Sequence, residues 1–265
     1  MTIRKIRLSR ISALHYYKLF FRSALFLATL VFYIIHRIGL AQDSSTEFRP
    51  VVYGVVSAIF IAEMILRFFP SSLESMGCQK QFKKNFIPTD VSHPHKRSVR
   101  SIWAVAAAWI GLNAIVGALY FTGMIDEGIL VLISLAYSVC DMICILFFCP
   151  FQTWFMKNKC CGSCRIYNWD YAMMFTPLLF IIGPYTWPVL SVAFLLLIYW
   201  EVVAHCHPER FAEETNGCLS CAACKEKLCH HKKQLRSFLK ANKETLLLKG
   251  NTVIEKAKKT IRRKK

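Results

Sequence analysis

Five stretches of the chain are predominantly apolar over at least about the thickness of a lipid bilayer, and this constrains the fold more than any other feature. They are Leu19–Leu40, Val51–Phe69, Ile102–Met124, Gly128–Cys149 and the long run Tyr171–Cys206. About 20 apolar residues cross a hydrocarbon core of roughly 30 Å as a helix. None of the stretches alternates polar and apolar residues as a barrel strand would. Backbone groups in lipid must be paired locally, which leaves helices. The expected fold class is all-α, a polytopic membrane bundle of about six transmembrane helices. A small cysteine-rich segment and a basic helical tail on the cytoplasmic side complete it. A hydrophobic content of 55% agrees with this and excludes an ordinary soluble domain. A basic N-terminus followed by Gly39-Leu40-Ala41-Gln42 also has the form of a cleaved signal, but the first stretch is long enough to be a retained helix.

Charge gives the direction of threading, because Lys and Arg collect in cytoplasmic loops. Arg4, Lys5, Arg7, Arg10, Lys18 and Arg22 precede the first span. Lys80, Lys83, Lys84, Lys96, Arg97 and Arg100 lie in loop 70–101, and Lys157, Lys159 and Arg165 in loop 150–170. The intervening turns hold Asp43, Glu47, Asp126 and Glu127 with one basic residue, Arg49, and Arg37 near the outer end of the first span is the one basic residue out of place. As one helix, 171–206 would reach about 54 Å, too long for a single crossing. Gly183, Pro184 and Pro188 break it into a hairpin, either two short spans or a re-entrant loop. A hairpin returns residues 225–265, with 15 Lys or Arg against three Glu, to the inner side. The expected organisation is an amphipathic interfacial segment 1–18, helices in 19–69, a basic loop 70–101, helices in 102–149, a Cys-rich loop 150–170, a hairpin 171–206, a Cys/His-rich segment 207–231 and a polybasic tail 232–265. Both termini are expected in the cytoplasm, at a bacterial cytoplasmic membrane.

This threading puts ten of twelve cysteines at or beyond cytoplasmic helix ends, and Cys140 and Cys144 in the fourth helix toward the same side. Structural disulfides belong to oxidising compartments, so a metal is the better reading. The run CLSCAAC spaces Cys218, Cys221 and Cys224 as C-x2-C-x2-C, with Cys229 four residues on. Over these dozen residues it resembles the iron–sulfur run of bacterial ferredoxins, in which a tight loop wraps three thiolates around one cluster. The last gap is longer and no proline follows, so a ferredoxin fold is not implied. A second group, Cys149, Cys160, Cys161 and Cys164, contains another C-x2-C, and Cys206 ends the hairpin. Two C-x2-C pairs equally suit zinc. Palmitoylation or simple packing would also use such thiols, without needing that spacing.

Other polar residues carry less. Glu201 and His205 share a helical face beside Cys206 and His207, spaced like ligands or like an ordinary interfacial helix end. Glu63 and Arg67 read as an i,i+4 pair. Asp141 and Asn113 either line a polar path or hydrogen-bond between helices. His36 alone is well inside a span, which disfavours a haem cytochrome. The basic ends point to anionic lipid rather than nucleic acid, for which no recognition motif is present. No nucleophile–base set, phosphate loop or dinucleotide fingerprint appears. Three functions stay open: an iron–sulfur protein of membrane-linked electron transfer or redox sensing with a redox partner protein; a membrane protein binding zinc or another soft metal; and a small-solute transporter or scaffold stapled by a structural metal.

Overall fold

The structure is a computed structural model, and it describes residues 10–38, 48–70, 76–91, 99–156, 164–181, 183–220, 229, 232–235 and 237. The backbone divides into a larger unit, Arg10–Glu226, and a smaller one formed by Met1–Ser9 and Lys227–Lys265. Of the smaller unit only 229, 232–235 and 237 are described, and all of these are helical.

The larger unit is mostly helical: α1 (Arg10–Arg37), α2 (Phe48–Leu66), α3 (Met76–Gln79), α4 (Val99–Phe121), α5 (Glu127–Leu146), α6 (Asp170–Phe175) and α7 (Thr186–Cys206). Among the described residues four helices are long and apolar enough to cross a membrane, in α1, α4, α5 and α7; α2 contributes a shorter apolar helix, Tyr53–Leu66. α1 begins at Arg10, so Lys18 and Arg22 are helical residues rather than charges of a preceding loop. Its 28 residues span about 42 Å. The exposed faces of these helices carry Phe20, Leu27, Val31, Trp103, Ile110, Ile115, Leu195 and Ile198, the surface that lipid would cover.

The expected hairpin has an irregular first arm. Residues Arg165–Trp169 form a 3-10 turn, α6 follows, and Thr176–Phe180 is again 3-10. Pro177 has no N–H to continue α6, and the Thr176 hydroxyl donates to the Ala172 carbonyl at 2.6 Å, which bends the chain. The 3-10 rise of about 2.0 Å per residue, against 1.5 Å in an α-helix, stretches these 16 residues to about 29 Å. The arm runs alongside α4, from the Trp109–Trp169 ring contact to the Phe121–Phe180 contact. It contacts α4, α5 and α7. Tyr171, Met174, Phe175 and Leu178 are buried with Leu190, Ala193, Leu196 and Trp200 of α7 in the main core.

α1 lies antiparallel on α5, fixed at both ends. Arg22 meets Asp141 at one end, and Tyr33 and Arg37 meet Asp126 at the other. Asp126 caps α5 by accepting from the Ile129 N–H at 2.9 Å. Burial alone would raise its pKa. The Ile129 N–H, the Tyr33 hydroxyl and the Arg37 guanidinium outweigh that and hold the carboxyl below its ordinary value.

A depressed carboxyl stabilises the fold above its unfolded pKa and loses that contribution as pH falls through the folded one. Wild-type protein in detergent is therefore expected to lose thermal stability below about pH 4, and Asp126→Asn to show a shallower decline across that window. Equal slopes in paired melting series would contradict it. A Cβ on Gly117 would lie 2.4 and 2.7 Å from Phe180 ring atoms, whereas nothing lies within 4 Å of one on Gly111. Gly117→Ala is expected to destabilise by about 1–3 kcal/mol and Gly111→Ala not to, read as melting temperatures of the two variants.

Candidate functional site

At one end of the bundle the ends of the helices converge, with loop segments folded over them. Two features lie there, a buried ionic cluster and above it a polar cap that carries several of the cysteines.

The cluster centres on Arg22, which is 2% exposed. Its guanidinium donates to Glu63 Oε2 at 3.0 Å, to Asp141 Oδ2 at 3.1 Å and to the Ser138 carbonyl at 3.2 Å. Lys18, one helical turn before it, reaches Glu63 Oε1 at 3.4 Å, and the Tyr171 hydroxyl donates to Glu63 Oε2 at 2.9 Å. Arg67 forms the second half. It bonds Asp170 at 2.7 and 2.9 Å and lies over the Tyr171 and Tyr167 rings, 4.6 and 5.8 Å from their centroids. Three cations thus face three carboxylates. α1, α2, α5 and the irregular arm each supply members. Fifteen residues separate Arg22 from Arg37 at the far end of α1, about 22 Å along the axis. Arg22 therefore lies well inside the candidate span Ile11–Arg37, and a charge within a membrane span persists only if it is paired.

The i,i+4 pairing expected of Glu63 and Arg67 does not form. Arg67 lies one residue beyond the end of α2, in a turn whose N–H reaches the Met64 carbonyl, and its side chain leaves the helix face for Asp170. Asp141 makes an interhelical bond, whereas the Asn113 amide donates to the Trp109 carbonyl of its own helix at 2.9 Å. Glu201 is engaged by Arg165 at 2.6 Å and by the Trp169 indole N–H at 2.7 Å, so it is not aligned with His205 as a ligand pair. His207 Nδ1 lies 3.0 Å from Glu209 Oε1.

The cap joins segments 76–91, 164–169 and 208–220. The Asn168 amide donates to Gln81 Oε1 at 2.7 Å, and the Asn216 amide donates to the Lys80 carbonyl at 3.0 Å. Gly217 N–H donates to the Ile87 carbonyl at 2.8 Å, and the Thr89 hydroxyl donates to the Glu214 carbonyl. Two consecutive residues, Lys80 and Gln81, therefore tie together segments about 50 positions apart in sequence.

Two of the candidate ligands, Cys164 and Cys218, lie in this cap. Cys164 is 4% exposed and immediately precedes the turn Arg165–Trp169. Cys218 is half-buried in the turn Gly217–Leu219, where its N–H donates to Asn216 Oδ1 at 3.1 Å. Cys206 is exposed at the end of α7, and Cys149 follows α5 with its sulfur accepting from the Gln152 N–H at 3.4 Å. Cys229 is described within the smaller unit. Cys160, Cys161, Cys221 and Cys224 lie outside the described residues. Among the described residues no three His, Cys, Asp or Glu side chains are grouped as a metal would require. Cys78 is a core residue, packed in the same cluster as Phe82, Trp200 and Phe211.

Removing Arg22 leaves the buried Asp141 without its ion-pair partner and Glu63 with Lys18 alone. Arg22→Gln is expected to cost about 3–5 kcal/mol. The triple variant Arg22→Gln/Glu63→Gln/Asp141→Asn, in which Lys18 alone of these groups keeps a charge, is expected to recover most of it, measured by thermal unfolding in lipid nanodiscs. A triple variant as unstable as the single one would refute the pairing.

No protein-family model, no curated protein and no solved structure matches this chain.

Proposed function

We propose that this chain is an integral membrane protein of six crossings that holds a thiolate-ligated metal at its cytoplasmic face. An iron–sulfur cluster in membrane-linked electron transfer or redox sensing is the reading the residues support best. The observation that carries it is the double clamp of the cap. Asn168 is four residues from Cys164 and Asn216 two from Cys218, and both bond to the adjacent pair Lys80 and Gln81. The two cysteine runs therefore start from one short anchoring segment, which supports a shared site drawn from Cys160, Cys161 and Cys164 with Cys218, Cys221 and Cys224.

Clustered thiolates are soft donors suited to iron–sulfur clusters and zinc. The C-x2-C-x2-C run favours the cluster, which when bound supplies one-electron chemistry. This chain's part is to bring both runs to the membrane surface and hold them over a rigid, charge-matched base. Zinc or another soft metal is the second reading, favoured by a C-x2-C pair on each clamped segment. The transporter reading is weaker, because every cation in the buried cluster has a carboxylate partner, as a structural lock requires.

The six crossings are supported by the irregular arm, whose reach of about 29 Å is comparable to the hydrocarbon core. Its course beside α4 adds to this, and α2 and α7 add the neighbouring crossings. The excess of Lys and Arg on the cap side supports a cytoplasmic cap with both termini inside. The basic ends then hold anionic headgroups, and the cap is the face for a soluble redox partner.

Anaerobically purified protein is expected to contain iron and sulfide and to show visible absorption that bleaches on reduction. Cys164→Ser and Cys221→Ser should each lower the iron content while the protein still elutes as folded. Colourless protein with stoichiometric zinc would move the conclusion to the second reading. Protein lacking both metals after anaerobic purification would overturn both.

A further inference from the structure

No charged residue falls between Asp141 and Lys157, and residues 147–155 near the end of that interval carry five aromatic rings. There Pro150 leads from the end of α5 into a single π-helical turn, Phe151–Phe155. The turn pairs its own donors. The Thr153 N–H and hydroxyl donate to the Cys149 carbonyl at 3.1 and 2.9 Å, the Gln152 N–H to the Cys149 sulfur at 3.4 Å, and the Met156 N–H to the Phe151 carbonyl at 2.9 Å. Backbone paired in this way needs little from water and tolerates lipid. The rings sort by face. Phe151 and Phe155, with centroids 6.1 Å apart, tuck into the cluster that holds Ile102, Val105 and Ala106 of α4. Phe148 and Trp154 meet edge to face at 5.6 Å and are turned outward, 38% and 66% exposed. The turn therefore lies beside the start of α4, where Trp103 is 70% exposed. Trp103 and the exposed Phe121 are 18 residues apart on α4, about 27 Å along its axis. With Phe121 near one boundary of a hydrocarbon core of roughly 30 Å, Trp103 falls near the other. Among the described residues neither the Trp103 nor the Trp154 indole donates to a protein group, whereas the Trp169 indole reaches Glu201.

We propose that the turn Phe151–Phe155 is an interfacial lipid anchor. Phe148 and Trp154, together with Trp103 of α4, lie at the acyl–headgroup boundary of the leaflet on the cap side, against phospholipid. An indole suits that boundary because it has a large apolar body and a single polar N–H. The ring bodies and Phe148 replace water with acyl chain, and the two N–H groups donate to ester or phosphate oxygens of the lipid. The turn has the build such a site needs: one pair of rings fixes it to α4, the other faces out, and no charge stands between them. The start of the segment expected as a cysteine-rich loop therefore belongs to the bilayer surface. This rests on the membrane reading of α4 and α5 and is independent of the metal.

The test uses full-length protein carrying fluorotryptophan, in phospholipid nanodiscs, read by fluorine NMR. Three paramagnetic probes are added separately: phospholipid spin-labelled close to the headgroup, phospholipid spin-labelled at the acyl terminus, and a water-soluble gadolinium chelate. The Trp154, Trp103 and Trp187 resonances are assigned by their loss in Trp154→Phe, Trp103→Phe and Trp187→Phe, with Trp154→Tyr as the second choice should the first variant fold poorly. The relaxation itself is measured on wild-type protein. Trp154 and Trp103 are expected to relax most with the label close to the headgroup, less with the label at the acyl terminus and least with the chelate. Trp200, 2% exposed, should respond weakly to all three. Trp154 relaxed chiefly by the chelate would place the turn in water, and Trp154 shielded from every probe would place a protein partner over it; either overturns the proposal. In both cases Trp103 and Trp187, half-exposed at the start of α7, still respond to lipid labels if the helices cross the membrane. If those two also fail to respond, the membrane reading falls as well.

Discussion

Arg22 is the residue on which the larger unit depends. A guanidinium within a membrane span must be neutralised by neighbours, and its planar fork lets it satisfy two carboxylates at once. Glu63 and Asp141 lie on different helices, so a single side chain fixes α1 against both α2 and α5. The same need explains the rest of the cluster. Glu63 has a second oxygen to satisfy, which Lys18 reaches, while the Tyr171 hydroxyl donates to the same Oε2 that Arg22 holds. Ionic pairing of this kind adds little net stability over a well-packed apolar core, but it specifies one arrangement strongly, because any slip strands a charge.

The irregular arm 165–180 connects this lock to the cap. Tyr171 sits between Arg22 and Arg67 with its hydroxyl on Glu63, and Asp170 holds Arg67. One turn earlier, Asn168 reaches Gln81 and Trp169 reaches Glu201. Five consecutive residues, 167–171, thus join core, lock and cap, beginning three residues after Cys164. A shift of the arm would move the cysteine loop and break ion pairs together. This gives the cap a stiffness that its short turns alone would lack.

Much of the architecture was legible because it rests on local chemistry. Predominantly apolar runs of bilayer length identify α1, α4, α5 and α7, and the breakers set their ends. α4 stops at Phe121 just before Gly123, whose φ of 74° favours glycine, and α5 ends at Leu146 shortly before Pro150. The proline-bearing run 171–206 was readable as a break, but the 3-10 extension of its first arm was not. That geometry comes from Pro177 and Thr176 acting together with packing on α4. The choice of partners was the least legible part. Glu63 and Arg67 satisfy a helical spacing rule, yet both bond elsewhere, because Arg67 falls past the helix end and better-placed charges lie across the interface. By charge pattern alone Arg22 reads as a flanking charge, although it sits three residues inside the apolar run beginning at Leu19. That position, set against Glu63 and Asp141 in two other apolar runs, was the signal that could have exposed the cluster. The cysteine spacing pointed to soft-metal chemistry, but spacing carries no information on which loops share an anchor; Asn168 and Asn216 do that.

The most direct measurement is the distance between the Arg22 guanidinium and the Asp141 carboxyl in a bilayer. Solid-state NMR dipolar recoupling on protein carrying nitrogen-15 arginine and carbon-13 aspartate, compared with Asp141→Asn, isolates that pair. A guanidinium nitrogen 3.1 Å from the carboxylate oxygen predicts a strong dephasing component that is lost in the variant, over the part that the Arg67–Asp170 and Arg37–Asp126 pairs contribute in both. Identical dephasing in wild type and Asp141→Asn, with Arg22 exchanging freely with water, would contradict the lock and the helix arrangement built on it.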